Sequence, residues 1–141
     1  MSGLDSRPPA YELARTQHYV LELDTRRRVL RLTRTREPFE SNEALDATFV
    51  ALIKALDPLP RRQHSLLIDQ RQGPHRNDPE FEQALRPHRV TLVNGFRRVA
   101  VLVQTAVGML QVQRHLRADN LVARVFDDEH AAKEYVEGPS R

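Results

Sequence analysis

Three carboxylates in one short stretch of the sequence could carry acid/base chemistry. The stretch is "LLIDQRQGPHRNDPEFEQAL", residues 66–85, in which Asp69 ends an apolar run and Asp78 and Glu80 open an acidic segment. Paired carboxylates act as general acid and base only when their surroundings keep one of them protonated. At the first turn of a helix, free backbone N–H groups instead stabilise the ionised form. The pattern therefore predicts a helix start, and it predicts no catalytic residue.

Four further side chains could bind an anion beside these carboxylates. Arg71 and Arg76 lie in the loop after Asp69, and Gln104 and Thr105 follow a second apolar run. Helix N-termini at the carboxyl ends of parallel strands present unpaired N–H groups to phosphates and carboxylates. The alternative is that Thr105 only caps a helix and Arg71 only pairs with Asp69. Together with the three carboxylates, these residues are the predicted surface for a ligand or partner.

No pattern in the sequence indicates a metal site, a phosphate loop or a nucleophile. The six histidines, at positions 18, 64, 75, 88, 115 and 130, show no H-x-x-x-H or H-E-x-x-H spacing, and cysteine is absent. The glycines in "GPH" and "GML" are single, whereas a phosphate loop needs several. We therefore predict no metal, no cofactor and no enzymatic activity.

The basic balance of the chain does not point to nucleic acid. The net charge is +3 and the pI about 9.8, but the 22 basic residues are scattered among 19 acids. Six arginines do gather in "DTRRRVLRLTRTRE", residues 24–37. Alternation along a strand would place Arg28 and Arg31 on opposite faces, and aromatic residues are not interleaved with these arginines. The sequence thus argues against a nucleic-acid partner.

Five segments have the composition of β-strands. They are residues 18–24, 28–35, 64–70, 97–105 and 121–126. The first two alternate in polarity around the tight turn "DTRR", which predicts an N-terminal β-hairpin. The run "RRVAVLVQT" is almost continuously apolar, as expected of a central parallel strand that is buried on both faces.

Four segments have helical periodicity or helix-capping residues. They are residues 38–60, 78–95, 106–119 and 127–138. Ser41 or Asn42 is the predicted cap of the first helix, and Asp127 or Asp128 that of the last. Pro87 lies inside the second helix and is predicted to bend or break it.

The order of these segments predicts an α/β fold of type β-β-α-β-α-β-α-β-α. Strands that alternate with helices favour a mixed, mostly parallel five-stranded sheet with about four helices covering both faces. The hairpin strand would lie antiparallel at the edge of that sheet.

This arrangement resembles the STAS fold of anti-sigma-factor antagonists and of the cytoplasmic tails of sulfate transporters. The resemblance rests on the placement of "HSLLIDQ", "RRVAVLVQT" and "LVARVFDDEHAAKEYV", and it covers about residues 18–137. The chain is most similar to the SpoIIAA-like subgroup, in which a basic and apolar strand leads into a helix and the chain ends with a "VF-D-EAA--Y/W" element.

The chain departs from the antagonists where they carry their phosphorylated residue. In those proteins the strand that matches "LLID" leads to a Ser or Thr at the next helix, but "DQRQGPHRNDPEFE" contains no Ser, Thr or Tyr. The resemblance therefore implies a variant without this phosphorylation site. It implies a non-enzymatic regulatory or protein-interaction module, and the alternative is a domain that binds a small ligand or lipid in the cleft at the strand ends.

The sequence also predicts how the chain is organised. Residues 1–16 contain Gly, Ser and a Pro pair and are predicted to be loosely ordered, whereas residues 17–138 would form a single STAS-like domain. No signal peptide and no transmembrane segment are predicted, so we expect a cytoplasmic protein. The partner is a protein or a small ligand that the sequence does not identify, and homodimerisation is left open.

Overall fold

The computed structural model of the protein describes residues 10–74 and 78–138. The strands are β1 (Ala10–Arg15), β2 (Tyr19–Asp24), β3 (Val29–Arg34), β4 (Ser65–Asp69), β5 (Arg98–Leu102) and β6 (Arg124–Phe126). The helices are α1 (Asn42–Leu56), α2 (Pro79–Val93), α3 (Ala106–Ala118) and α4 (Glu129–Glu137). A short 3-10 helix, Arg61–Gln63, lies between α1 and β4.

All six strands of the described part belong to one sheet, in which each strand pairs with its neighbours in sequence. β1, β2 and β3 pair antiparallel, and β3 to β6 pair parallel. The predicted hairpin is formed by β2 and β3, with Leu23 opposite Leu30 and Tyr19 opposite Arg34. The predicted α/β class, with its mostly parallel sheet and antiparallel hairpin, is confirmed.

The sheet has six strands, whereas the sequence predicts five. The additional strand, β1, falls within residues 1–16, for which the sequence predicts loose order. Its Leu13 and Ala14 are half-buried and pack against the core. A β-bulge between Glu12 and Ala14 interrupts the alternation that would have revealed the strand. Residues 1–9 lie outside the described residues.

A side-chain cap begins each of the four α-helices. The caps are Ser41, Asp78, Thr105 and Asp128, and each accepts a hydrogen bond from a backbone N–H in the first turn. These caps satisfy N–H groups that have no partner within the helix. The sequence named all four positions, two of them as one of a pair of adjacent candidates.

α2 runs through Pro87 without a break. A proline in a helix interior lacks the N–H for the i−4 carbonyl and crowds that turn, which is why the sequence predicts an interruption. Contacts outside this turn keep the helix continuous, and the Thr91 hydroxyl donates to the Pro87 carbonyl at 3.0 Å. α2 ends at Asn94, and Gly95 follows with a φ of +94°, a value that favours glycine.

The two faces of the sheet are covered unequally. Helices α1, α2 and α3 cover the face from which Leu21, Leu30 and Leu66 project. Of the described helices, only α4 packs on the other face. Its Ala132 and Val136 contact strand residues that point to that face, such as Leu67 and Leu102. Every residue of β4 is buried, as expected of a central parallel strand.

Candidate functional site

The carboxyl ends of β3, β4 and β5 lie side by side, because these strands are parallel neighbours. Arg34 is the last residue of β3, Gln70 directly follows β4, and Gln104 follows β5 by two positions. Three polar side chains therefore come from three adjacent strand ends. In open parallel sheets, ligands bind beyond such ends.

A cavity of about 240 Å³ lies between these strand ends and helices α2 and α3. The apolar residues that line it come from the sheet, from α2 and from α3, and they include Ile68, Val101, Val103, Phe81, Leu85, Val112 and Leu116. The polar residues that line it include Gln70, Gln104, Thr105 and Gln111. An apolar cavity with a few polar groups at one end is typical of small-molecule sites.

Arg34 is the only arginine among the described residues that is buried, at 6% exposure. Its Nη1 donates to three backbone carbonyls, those of His18, Thr35 and Glu37, at 3.3, 2.8 and 2.7 Å. The guanidinium lies 4.7 Å from the ring centroid of Phe39. No carboxylate of the described residues pairs with Arg34, so its charge is compensated by dipoles and π-faces alone.

Tyr19 lies beside Arg34 in the cavity wall. Burial raises the pKa of the Tyr19 hydroxyl, and the Arg34 charge and the Gln70 side chain offset part of that rise. Burial lowers the pKa of Arg34, because removal from water disfavours its charged form. An arginine keeps its proton in proteins, so the cavity contains a permanent, poorly hydrated cation.

An ion-paired cluster connects α2 to α3 along one side of the cavity. Arg89 of α2 contacts Glu82 on its own helix and Asp119 at the end of α3, both at 2.6 Å. Arg86 adds a second contact to Asp119, at 2.7 Å, and His115 Nδ1 lies 3.3 Å from Glu82. The Asp119 side chain is 2% exposed, so this contact between the helices is shielded from water.

A second ion-paired cluster lies on the opposite face of the sheet, beneath α4. Asp69 accepts hydrogen bonds from Arg31 at 2.8 Å and from Arg71 at 2.9 Å. Both arginines also contact Glu129 in the first turn of α4, at 3.2 and 2.8 Å. Lys133 lies 3.2 Å from Glu129, one helical turn further on. The cluster thus joins β3, β4 and α4.

The acids of this second cluster are stabilised in their ionised forms. Burial alone would raise the pKa of Asp69, but the hydrogen bonds from Arg71 and Arg31 outweigh it and the pKa is lowered. The pKa of Glu129 is also lowered, chiefly by the hydrogen bond from Lys133. A carboxylate of this kind is a weak general base and is not protonated near neutral pH, so it cannot serve as a general acid there.

Three of the predicted site residues line the cavity, namely Arg71, Gln104 and Thr105. Thr105 also caps α3, since its Oγ1 accepts from the N–H of Gly108 at 3.0 Å. Arg71 also lines the cavity, and its guanidinium pairs with Asp69. Thr105 and Arg71 thus make the capping and pairing contacts that the sequence named as the alternative to ligand binding.

Of the other four predicted residues, the three that the structure describes do not line the cavity. Asp69 faces α4 on the opposite side of the sheet. Asp78 caps α2, and Glu80 is exposed in the first turn of that helix. Arg76 belongs to residues 75–77, which lie outside the described residues. Ligand or partner binding by any of the seven stays a prediction.

Two buried residues that line the cavity, Arg34 and Tyr19, are not among the predicted site residues. A signal for Arg34 was present, because alternation along β3 places it on the same face as Leu30 and Leu32. An arginine at an inward position of a strand costs free energy unless a partner or ligand offsets it. The contribution of α2 residues such as Arg89 could not be found, because it depends on how α2 packs.

Residues 10–74 and 78–138 contain neither a metal-binding group nor a membrane-spanning helix. No group of three or more His, Asp or Glu side chains there is arranged to bind a metal ion. No helix within these ranges has the length and apolar character needed to cross a lipid bilayer.

The chain is similar to a protein of known structure. No profile of a protein family matches the sequence, and no curated protein matches it. A crystal structure of an uncharacterized protein of the DUF3478 family from Shewanella loihica PV-4, described as having a SpoIIAA-like fold, superimposes with a TM-score of 0.59. The match covers 95% of this chain and 99% of that one at 15% identity, which shows the fold alone. The chain therefore has a SpoIIAA-like fold, as the resemblance implied.

Proposed function

We propose that this domain is a non-catalytic binding module whose ligand is a small, largely apolar molecule. The observation that carries the proposal is the cavity of about 240 Å³ at the carboxyl ends of β3, β4 and β5. An engineered apolar cavity of about 150 Å³ takes up benzene, so the present volume suits a ligand of about ten non-hydrogen atoms.

The energetics of packing favour a ligand in this cavity. Protein interiors are close-packed, and side chains around a gap lose the dispersion contacts that neighbouring atoms would supply. A ligand that fills the apolar part of the cavity would supply such contacts to the side chains that line it.

The arrangement of the titratable groups supports a role without chemistry. Asp69 and Glu129 are held ionised by arginines on the far face of the sheet, away from the cavity. Glu82 lines the cavity, and the Arg89 guanidinium lies 2.6 Å from its carboxylate, an ion pair that favours the ionised form.

Helix α2 could connect ligand binding to a regulatory role of the domain. One face of α2 lines the cavity, and the helix is joined to α3 by ion pairs along the side of the ligand space. A ligand that alters the packing of α2 would change the surface that this helix presents. Binding of a protein partner to this surface stays a prediction, and so does homodimerisation.

Filling the cavity by mutation tests the proposal. Val112 lines the cavity from α3, and Leu110 of the same helix points outward at 63% exposure. We expect Val112→Phe to abolish binding of apolar probes of about ten non-hydrogen atoms, such as 1-octanol, because its ring occupies their space. The matched variant Leu110→Phe should bind as the unaltered protein does. Binding is measured by calorimetry and by shifts of amide resonances around the cavity.

The thermal stability of the protein gives a second readout. A ligand present at 100 times its dissociation constant stabilises the native state by about 2.7 kcal/mol, which raises the Tm by several degrees. The proposal is contradicted if no probe raises the Tm of the unaltered protein, or if the rise is as large in Val112→Phe.

A further inference from the structure

Arg34 has one free edge. Its Nη1 is fully used by three backbone carbonyls. Among the described residues, no acceptor is hydrogen-bonded to Nε or Nη2. Neither atom is among the fully buried polar atoms that lack a partner, so both retain some accessible surface. These two nitrogens form a fork of parallel N–H donors, which matches the two oxygens of a carboxylate. The free edge belongs to a residue that lines the cavity.

The position of Arg34 is costly without an anion. The side chain is buried, and the burial lowers its pKa. Three less deeply buried arginines lie against acids: Arg31 and Arg71 pair with Asp69, and Arg89 pairs with Asp119. Arg34 is buried and pairs with no described acid.

The neighbours of Arg34 complete a site for an anionic head group. The Arg34 guanidinium lies 5.5 Å from the ring centroid of Tyr19, and Gln70, which is hydrogen-bonded to Tyr19, also lines the cavity. Both of these side chains carry hydrogen-bond donors. Among the described residues, Glu82 is the one acid that lines the cavity, and the Arg89 guanidinium, 2.6 Å away, offsets its charge. Apolar residues of the sheet and of α2 and α3 form the rest of the wall.

We propose that the ligand is a medium-chain amphipathic anion whose carboxylate binds the free Nε/Nη2 edge of Arg34 and whose apolar tail fills the cavity. This inference rests on the proposed function and names the class of its ligand. A chain of about eight carbons with a carboxylate has about ten non-hydrogen atoms, which agrees with the cavity volume. A phosphate monoester is also an anion, so its affinity must be compared with that of a carboxylate to identify the head group.

A matched pair of probes tests the head group on the unaltered protein. Octanoate and octanamide have the same size and tail, but only octanoate carries a charge. We expect octanoate to bind about tenfold to hundredfold more tightly in calorimetry, because it forms a charge-assisted bidentate pair. Octyl phosphate should bind more weakly than octanoate, since its head group is larger than a carboxylate and exceeds the space beside Arg34 in a cavity of about 240 Å³. Tighter binding of octyl phosphate would overturn the assignment of a carboxylate.

A matched pair of variants tests the residue. Arg34→Gln should weaken octanoate by about tenfold to hundredfold and leave octanamide almost unchanged. Arg61 is the control, because its Nη1 also donates to three backbone carbonyls, those of Thr91, Leu92 and Asn94, but it does not line the cavity. Arg61→Gln should therefore bind octanoate normally while losing a similar set of structural hydrogen bonds.

The outcomes separate the two proposals. Equal binding of octanoate and octanamide, or octanoate binding that survives Arg34→Gln, overturns the role of Arg34 and leaves the apolar site in place. Failure of all probes, 1-octanol included, overturns the proposed function together with this inference. Should Arg34→Gln not fold, Arg34→Lys keeps the charge without the fork, and it should show an intermediate loss for octanoate.

Discussion

Asp69 is a buried negative charge between two positive ones. Arg31 and Arg71 donate to its carboxylate and also contact Glu129. Through these two arginines, Asp69 links β3 and β4 to α4. Taking one partner from a buried ion pair leaves the other charges uncompensated, which costs more than the pair itself contributes. The arginines are partly exposed, so solvent reduces that cost here.

We predict that Asp69→Asn lowers the free energy of unfolding by about 2 kcal/mol near neutral pH. The sign with pH follows from the lowered pKa of Asp69. A carboxylate with a lowered pKa in the folded state contributes stability above the usual Asp range, and this is lost as pH falls through the lowered pKa. The difference between the two proteins should therefore shrink below about pH 4. Urea unfolding at several pH values measures it.

Asp57→Asn is the control for this prediction, because Asp57 is exposed at the end of α1. It should change the stability by less than about 0.5 kcal/mol at every pH. A loss in Asp69→Asn that stayed constant between neutral and acid pH would show that the ionised carboxylate is not its source.

At the scale of single residues, the sequence predicted local chemistry better than spatial grouping. Helix caps such as Thr105 depend on the next three residues, so their identity could be read directly from the chain. The partners of Asp69 could not be predicted fully, since Arg31 and Glu129 come from distant elements. The burial of Arg34 could have been predicted from alternation, because Arg34 lies on the same face of β3 as Leu30 and Leu32.

At the scale of elements, strands and helices were predictable where the pattern was local and regular. α1 carries its apolar residues on one buried stripe, with Leu45, Phe49 and Leu52 in the core. β1 was missed because its bulge breaks the period of two. The continuity of α2 through Pro87 was missed because tertiary contacts, which the sequence does not display, outweigh the local preference.

We predict that Pro87→Ala stabilises the protein by about 1–2 kcal/mol. Alanine restores the N–H that the i−4 carbonyl lacks, and part of this gain is offset because the unfolded chain becomes more flexible. The Pro87 ring is exposed, so little packing is lost with it. Urea unfolding gives the free energy, and amide hydrogen exchange should slow in the first half of α2.

Pro79→Ala is the matched control in the same helix. Pro79 is the first residue of α2, where a proline disturbs no hydrogen bond, so its replacement should change stability by only a few tenths of a kcal/mol. If Pro87→Ala proved less stable than the unaltered protein, the helix would depend on the proline itself.

At the scale of the whole molecule, the order of the strands in the sheet is the same as their order in the sequence. Its two edges are the first and last strands, and the last, β6, has only three residues. The antiparallel end, formed by β1 and β2, is covered by α1 on one face. The cavity lies at the parallel end, beneath helices α2 and α3. The molecule thus separates a structural end of the sheet from the end that carries the proposed ligand.

The antiparallel end leads to a prediction for the whole fold, which concerns β1. Removal of residues 1–15 should lower the free energy of unfolding by about 2–3 kcal/mol, because the half-buried Tyr11, Leu13 and Ala14 leave the core. It also exposes the edge of β2, which promotes association between chains. Removal of residues 1–9, for which loose order stays a prediction, should cost less than about 0.5 kcal/mol. Chemical unfolding with sedimentation analysis measures both effects, and equal stabilities of the two shortened chains would show that β1 contributes nothing to the fold.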